Sequence, residues 1–424
     1  MSVLEALLRD IPLPRVVKVR QTFPAPRVAD VPAAVRAALA RPGLLDRVRP
    51  GMSVAIAVGS RGIRHIDVVT REVVAAVRAQ GGDPFLVPAM GSHGGATAAG
   101  QTEVLAHLGI TEATAGAPIR ATMDVVQVGR LDNGLPVYVD AYAARADGIV
   151  VINRVKPHTA FRGRFESGLM KMLAIGLGKQ KGAEACHQLG FGRMAEHVPA
   201  MGRIILARLP VLFGVALVEN AYDETARVAA LAADEIEQEE PALLEEAKAL
   251  LPRLPFDEMD VLVIHEIGKD ISGDGMDPNI TGRYPTPYAS GGPRVEKMVV
   301  LDVTDASQGN ANGVGTADFT TQRLVDKMDR TATYANGLTS TVVGPTKIPM
   351  TLPCDRDAIR AAVKTCNRLD LDRVRLVYIR NTLHLGELYI SESLLAETPR
   401  TQMEVVGTPA PIPFDAHGNI TLSW

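Results

Sequence analysis

The chain has 424 residues, more than one ordinary hydrophobic core holds, so we expect at least two domains. Its formal net charge of −3 gives no argument for binding nucleic acid or an anionic membrane surface, and no apolar run approaches the ~20 residues of a membrane span. Three cysteines without metal-ligand spacing, and an N-terminus without a signal-peptide pattern, predict a reducing, cytoplasmic location.

Apolar runs and helical periodicity predict alternating strands and helices in the first half of the chain. The first 30 residues contain four prolines and are predicted as an extended arm. Strand–loop–helix units in succession indicate a doubly wound, mostly parallel sheet. The predicted helices span 31–40, 66–79, 98–108 and 179–187, and the predicted strands span 52–58, 84–89, 137–139, 148–152 and 211–218.

A long acidic segment divides the chain into two predicted α/β domains. Residues 225–251 are rich in Ala, Leu and Glu, and we predict one helix that ends before Pro252. The expected N-terminal domain covers 1–254, and a smaller C-terminal α/β domain covers 255–397. The proline-rich tail, 398–424, is predicted to return to the N-terminal domain. In the second domain the predicted strands are 261–265, 299–303 and 374–379, and the predicted helices are 320–328 and 355–367.

Residues with reactive side chains concentrate after the strand predicted at 148–152. His158 follows its end, the edge of a parallel sheet that usually carries chemistry. Lys171 lies in a helical pattern that Gly176 and Gly178 interrupt, and His187 ends the next helix. On one straight helix these sixteen positions would separate Lys171 from His187 by more than about 20 Å. A glycine elbow would let both side chains face one space.

His93 and His158 each follow a predicted strand, in loops with small or kinked neighbours. Imidazole can donate and accept a proton near neutral pH. A reaction that inverts a carbon bearing a hydroxyl group needs a base on each face of that carbon. Two histidines from two strand ends meet this requirement, although each could instead cap its own loop.

Three further residues are candidates for cofactor or metal binding. Lys171 lies among apolar residues, and desolvation lowers the pKa of an ammonium group and makes the amine nucleophilic; the alternative is a surface lysine. His187 could ligate a metal, and with His93 and His158 it could form a three-histidine zinc site with an open fourth position. Ser60 follows the first strand, where a hydroxyl and backbone amides can hold a phosphate; an ordinary turn is the alternative.

These motifs resemble the nickel-dependent lactate racemase family. Its pattern is a Pro-His dipeptide, a glycine-containing loop, a lysine and a histidine sixteen positions further, and His158, Lys171 and His187 fit it. An upstream Gly-x-His segment of the family resembles the residues that end in His93. The family's short Asp-x-Thr-Arg cofactor loop resembles 58–61, with serine in place of threonine and valine in place of aspartate.

The resemblance implies a racemase or epimerase that acts on a small 2-hydroxy acid in a cleft between two α/β domains. It implies a nickel-pincer nucleotide, Ni(II)-pyridinium-3,5-bisthiocarboxylic acid mononucleotide, attached covalently to Lys171, with His187 as the protein ligand of the nickel. His93 and His158 would move the hydroxyl proton on opposite faces while hydride passes to the cofactor and back. The residues implied in cofactor contact are Gly59, Ser60, Arg61, Lys171 and His187.

The substrate contacts depart from the family pattern. A glycine-rich segment ending in Asp-x-Asn, here Asp277 to Asn279, resembles the family, but the substrate-contacting glutamine and lysine that follow it are absent. Arg61, Asn279 and Arg283 are the candidates for binding a substrate carboxylate, since arginine offers bidentate geometry. Lactate itself therefore need not be the substrate. Two alternatives stay open: a zinc-dependent hydrolase or lyase that uses the same histidines, and a non-catalytic nucleotide-binding homologue.

Overall fold

The computed structural model describes residues 3–60, 62–397 and 403–424. The chain forms two compact units. We call Pro24–Leu251 the central unit, and we call Met1–Phe23 together with Pro252–Trp424 the terminal unit. Both combine parallel strands with helices, so the predicted α/β class is confirmed. Within the described part of the chain, no helix is long and apolar enough to cross a membrane.

The N-terminal segment contains regular structure where the sequence predicted an extended arm. It begins with helix α1 (Val3–Leu8) and continues as strand β1 (Val16–Gln21). β1 pairs antiparallel on one side with Glu387–Ser391 and on the other with Met403–Ala410. The division of the chain thus differs from the predicted 1–254 and 398–424 boundaries: both chain ends belong to the terminal unit, because they share one sheet.

The central unit is built on a five-stranded sheet of order β3-β2-β6-β7-β8, with β4 and β5 as a separate antiparallel hairpin. β8 is antiparallel, and the other four strands are parallel. The strands are β2 (Ser53–Val58), β3 (Asp83–Pro88), β4 (Val125–Arg130), β5 (Pro136–Asp140), β6 (Gly148–Arg154), β7 (Val211–Glu219) and β8 (Thr225–Ala232). The helices are α2 (Val31–Leu39), α3 (Ile66–Ala79), α4 (Ala98–His107), α5 (Glu112–Ala115), α6 (Leu169–Lys171), α7 (Lys179–His187), α8 (Met194–Arg208) and α9 (Ile236–Leu250).

Both faces of this sheet are covered, which explains why its strands are continuously apolar. Val54 and Ile56 of β2 pack in one core with Val69 and other residues of α3. On the opposite face, Gly214 of β7 lies against α6; a Cβ added there would be 2.7 Å from Cδ1 of Leu169. The predicted doubly wound arrangement is confirmed.

The single helix predicted over 225–251 is wrong in its first third. Residues 225–232 form β8, which pairs antiparallel with β7, and α9 begins only at Ile236. Alanine and leucine favour a helix locally. Pairing prevails because it satisfies the backbone donors and acceptors of β7 and buries the last three residues of β8.

The terminal unit contains an eight-stranded sheet of order β12-β11-β10-β9-β13-β14-β1-β15. The five strands from β12 to β13 are parallel, and β14, β1 and β15 continue the sheet antiparallel. Its further strands are β9 (Glu258–Ile267), β10 (Arg294–Val303), β11 (Phe319–Thr321), β12 (Met350–Leu352), β13 (Leu376–Ile379), β14 (Glu387–Ser391) and β15 (Met403–Ala410). Its further helices are α10 (Pro278–Thr281), α11 (Gln322–Lys327), α12 (Arg330–Ser340) and α13 (Asp355–Thr365).

A buried carboxylate joins α9 to the start of α6. Glu240 is 1% exposed, and it accepts a hydrogen bond of 2.9 Å from the backbone N–H of Met170. Burial raises the pKa of Glu240 to about 7, although the N–H groups of Met170 and Leu169 favour its charged form. Gly168 leaves room for this contact, because a Cβ at that position would collide with the carboxylate.

We expect Glu240→Gln to change how stability depends on pH. The pKa of about 7 in the folded protein lies above its ordinary value of 4.5, so the group favours folding at low pH. This contribution is lost as the pH rises through 7. The unfolding free energy of Glu240→Gln, relative to wild type, should therefore increase by roughly 2 kcal/mol between pH 5 and pH 8.

Urea unfolding at the two pH values measures this difference. The matched control is Glu239→Gln, a change at the exposed neighbouring residue of α9. A Glu240→Gln profile parallel to that of wild type would contradict the assignment of this titration.

Candidate active site

Loops that follow three neighbouring strands begin at one edge of the central sheet. β3, β2 and β6 are adjacent and parallel, so their carboxyl ends lie at the same edge. β2 leads into Gly59 and Ser60, β3 leads into the loop of His93, and β6 leads into the loop of His158. The fold thus brings these predicted site segments to one place. Arg61 lies outside the described residues.

His93 is exposed, and its Nδ1 is hydrogen-bonded to the Ser60 hydroxyl. A hydroxyl group can either donate to or accept from a ring nitrogen, so this contact permits both neutral tautomers of the imidazole. Because Nδ1 of His93 is hydrogen-bonded to Ser60, a proton exchanged with a substrate would pass through Nε2. Ser60 was predicted to contact a cofactor phosphate, and in the structure its hydroxyl is used to orient His93.

His158 is held by its own loop. Its backbone N–H donates to the buried carboxylate of Glu166 at 2.7 Å, and its carbonyl accepts from Arg162 at 2.6 Å. Its Nδ1 accepts a hydrogen bond of 3.0 Å from the backbone N–H of Ala160. A ring nitrogen that accepts carries no proton, so the neutral imidazole of His158 is protonated on Nε2.

The predicted elbow between Lys171 and His187 is present. A π-helical turn over Met172–Gly176 follows Lys171, and the N–H of Leu177 donates to the carbonyl of Met172 at 2.9 Å. Single π turns inside helices are frequent at functional sites. The helix that carries His187 starts after this turn, so the two side chains are not on one straight axis.

Glycines shape the elbow by allowing close packing. A Cβ on Gly176 would lie 2.7 Å from the carbonyl oxygen of Ala89, and one on Gly178 would lie 2.8 Å from Cα of Gly182. Neither glycine has a positive φ angle. The residue with a left-handed backbone conformation is instead Lys179, whose φ is 55°.

Lys171 and His187 interact electrostatically. Two causes lower the pKa of His187 to about 4: burial, which is the larger, and the positive charge of Lys171. The imidazole is therefore neutral at physiological pH. Its Nδ1 is buried and has no hydrogen-bond partner among the described residues. A neutral imidazole with an unpaired ring nitrogen is chemically suited to bind a metal such as nickel.

Aromatic rings connect His158 to His187. The ring centroid of Phe191 lies 5.0 Å from that of His187 and 6.1 Å from that of His158. The ring of Phe161 is tilted by 38° against that of His158, with centroids 4.4 Å apart. Both phenylalanines are buried, so they exclude water from this side of the two imidazoles.

The loops after β2 and β3 lie against the π turn that follows Lys171. A Cβ added to Gly59 would be 3.0 Å from Cε of Met172, tighter than an ordinary van der Waals contact, so the glycine allows the two segments to approach closely. The N–H of Gly91 donates to the carbonyl of Gly176 at 3.3 Å. The segments that carry the predicted acid–base, tether and ligand residues therefore pack on one another.

The three-histidine zinc alternative gains no support from this arrangement. Within the described residues, no group of three or more His, Cys, Asp or Glu side chains is placed to hold a metal ion. His93 instead pairs with Ser60, whereas His158 and His187 share Phe191.

The two substrate candidates of the terminal unit already have structural partners. The Arg283 guanidinium pairs with Asp318 at 2.8 Å and donates to the carbonyl of Val295 at 3.1 Å. The Asn279 amide donates to Asp277 at 2.7 Å. Arg283 therefore cross-links its own unit, and nothing in its contacts supports the predicted role in binding a substrate carboxylate.

Several residues at the site were missed because the sequence gives little sign of them. They are charged or amide side chains that the fold buries, and their neighbours in sequence look ordinary. The one available signal was Lys179, a charged residue directly after the glycine elbow. The missed residues are Gln101, Asp140, Glu166, Lys179 and Glu240.

Comparison with known proteins finds a similarity over the N-terminal part of the chain. The sequence model of the lactate racemase N-terminal domain matches residues 5–198. No curated protein sequence is significantly similar to this chain. Among solved structures, the lactate racemase apoprotein from Thermoanaerobacterium thermosaccharolyticum is similar at 12% identity, over 80% of this chain and 87% of that chain, with a TM-score of 0.49. The family match supports the resemblance that the sequence motifs indicated: residues 5–198 match the lactate racemase N-terminal domain.

Proposed function

We propose that this protein is a racemase or epimerase of a small 2-hydroxy acid that works with a lysine-tethered nickel-pincer nucleotide. The observation that carries the proposal is the elbow that follows Lys171 and leads to His187, a half-buried histidine whose Nδ1 is buried without a hydrogen-bond partner among the described residues. An amine and an unprotonated imidazole in one place provide an attachment point and a metal ligand.

The residues present fit such a cofactor. Lys171 would hold it covalently through Nζ, and His187 would ligate the nickel through a ring nitrogen. The buried, unpartnered Nδ1 of His187 supports this role, because a buried polar atom without a partner is costly unless a ligand completes it. When bound, the nucleotide supplies a carbon that can accept a hydride and return it. Gly59 and Arg61 remain candidates for its contacts.

The two histidines then move the hydroxyl proton. His158 exchanges protons only at Nε2, since the N–H of Ala160 keeps its Nδ1 unprotonated. The Ser60 hydroxyl can donate or accept, so His93 is able to start as a base and finish as an acid. In one direction His93 takes the proton of the substrate and His158 gives one back; in the other direction the roles exchange.

The likeness to the family does not identify the acid. Arg61 remains a candidate for binding its carboxylate. We propose a cytoplasmic location, which agrees with three cysteines that are all free thiols.

We expect Lys171→Ala to abolish the covalent mass increment on protein made in a host that synthesises the nucleotide, since the amine is the point of attachment. Intact-mass spectrometry measures the increment. Lys181→Ala, at an exposed lysine of α7, is the control and should keep it. An adduct that persists in Lys171→Ala would show that the attachment site is elsewhere.

His187→Ala should lower the nickel content of the purified protein, because a ligand of the metal is removed. His93→Ala should leave the nickel content unchanged, because its imidazole is paired with Ser60 and serves in proton transfer. Elemental analysis of both variants measures the difference. Equal losses in the two variants would favour the three-histidine zinc site.

His93→Ala and His158→Ala should each slow racemisation about 100- to 10,000-fold, the usual cost of removing a general acid or base. The loss should be seen from either pure enantiomer, because each histidine is used in both directions. The covalent increment should remain in both variants. His107→Ala, at an exposed histidine at the end of α4, is the control. A variant that keeps the wild-type rate from one enantiomer would refute the two-base arrangement.

A further inference from the structure

Lys179 is a buried lysine that the proposed chemistry does not use. Its side chain is fully buried, and its φ of 55° is a backbone conformation that L residues rarely adopt. A buried charge in a strained backbone persists only when its surroundings over-determine it. Its contacts therefore indicate what it holds in place.

Three oxygen atoms surround the Lys179 ammonium: two accept its hydrogen bonds, and the third forms an ion pair with it. Nζ lies 3.2 Å from a carboxylate oxygen of Asp140 and 2.8 Å from Oε1 of Gln101, and it also donates to the carbonyl of Pro88. Burial lowers the pKa of Lys179 and raises that of Asp140, and the attraction between the two groups opposes both shifts. Three acceptors around one ammonium favour the charged pair.

Gln101 transmits this arrangement to the loop of His93. Its Nε2 donates to the carbonyl of Gly91 at 2.9 Å and to the carbonyl of His93 at 3.2 Å. An amide has one donor end and one acceptor end. Because the ammonium of Lys179 occupies the acceptor end, the donor end must face the loop. The opposite orientation would place an oxygen against two carbonyl oxygens.

The loop depends on these bonds for its shape. It contains four residues with positive φ, namely Gly91, Gly94, Gly95 and Ala96. Lys179 holds the end of β3 through the carbonyl of Pro88, and Gln101 holds the carbonyls of Gly91 and His93. The backbone position of His93 then decides whether its ring reaches the Ser60 hydroxyl.

We propose that Lys179 is a positioning residue for His93, acting through Gln101 and anchored by Asp140. It sets the placement of the His93 imidazole without touching substrate or cofactor. The catalytic meaning of this role rests on the proposed function, but the placement of His93 can be measured in the cofactor-free chain.

Two variants test the inference. Lys179→Met removes the ammonium and keeps an apolar side chain. Gln101→Glu keeps an acceptor for Lys179 and removes both donors to the loop, so it separates loop positioning from loss of the buried charge. Lys181→Met, at an exposed lysine two residues further on α7, is the matched control.

The first measurements use the full-length, cofactor-free protein. We expect amide hydrogen exchange in the loop of His93 to become roughly tenfold faster in Lys179→Met and Gln101→Glu, with wild-type exchange in the strands of the central sheet. The nitrogen-15 chemical shifts of the His93 imidazole should change in both variants, because its Nδ1 no longer lies against the Ser60 hydroxyl. Lys181→Met should match wild type in both measurements.

The second measurement uses the loaded enzyme. kcat should fall roughly 10- to 100-fold in both variants, with KM within about twofold of wild type and the mass increment at Lys171 retained. Wild-type loop exchange and unchanged nitrogen-15 shifts of the His93 imidazole in Gln101→Glu would overturn the inference, whether or not Lys179→Met folds. Faster exchange throughout the central unit would overturn it too, since that result means general destabilisation. An inactive wild type refutes the proposed function alone, and the exchange and NMR results still decide the role of Lys179.

Discussion

The loops at the edge of the central sheet must satisfy their backbone polar groups without the regular bonding of a helix or strand. Buried side chains provide those bonds. Glu166 accepts from the N–H of His158, Gln101 donates to the carbonyl of His93, and Glu240 accepts from the first residues of α6. The same bonds that make these loops stable therefore determine where the reactive side chains lie.

Each of these buried side chains needs a partner that offsets the free-energy cost of its burial. Glu166 has the ammonium of Lys248 at 3.2 Å, and Lys179 has Asp140 at the same distance. Glu240 relies on backbone N–H groups, and its raised pKa reflects that weaker compensation. Removing one member of a buried pair leaves an uncompensated charge, which is strongly destabilising. α9 supplies both Glu240 and Lys248, so the acidic helix is a support of the site.

The two candidate acid–base residues are not equivalent. His158 is fixed by a backbone donor to a single neutral tautomer, whereas His93 meets a hydroxyl that can serve either tautomer. A reversible inversion needs each histidine in both protonation states during a cycle. In the proposed mechanism, the adaptable partner of His93 would allow that change without moving the backbone, and the fixed partner of His158 would return it to one starting state.

The sequence by itself determined the local elements and the reactive motif. The helix at 66–79, the strand predicted at 52–58 and the elbow before α7 follow from periodicity and glycine placement. The candidate residues His93, His158, Lys171 and His187 follow from their spacing and from the resemblance to a known family. The pairing of β1 with β15, the strand β8 and the partners of Arg283 were decided only by tertiary structure. The physical reason is whether the groups that interact lie within one element or in different elements. The burial pattern of one element is set within a few turns of chain, whereas an open strand edge or a buried charge finds its partner in another element of the fold.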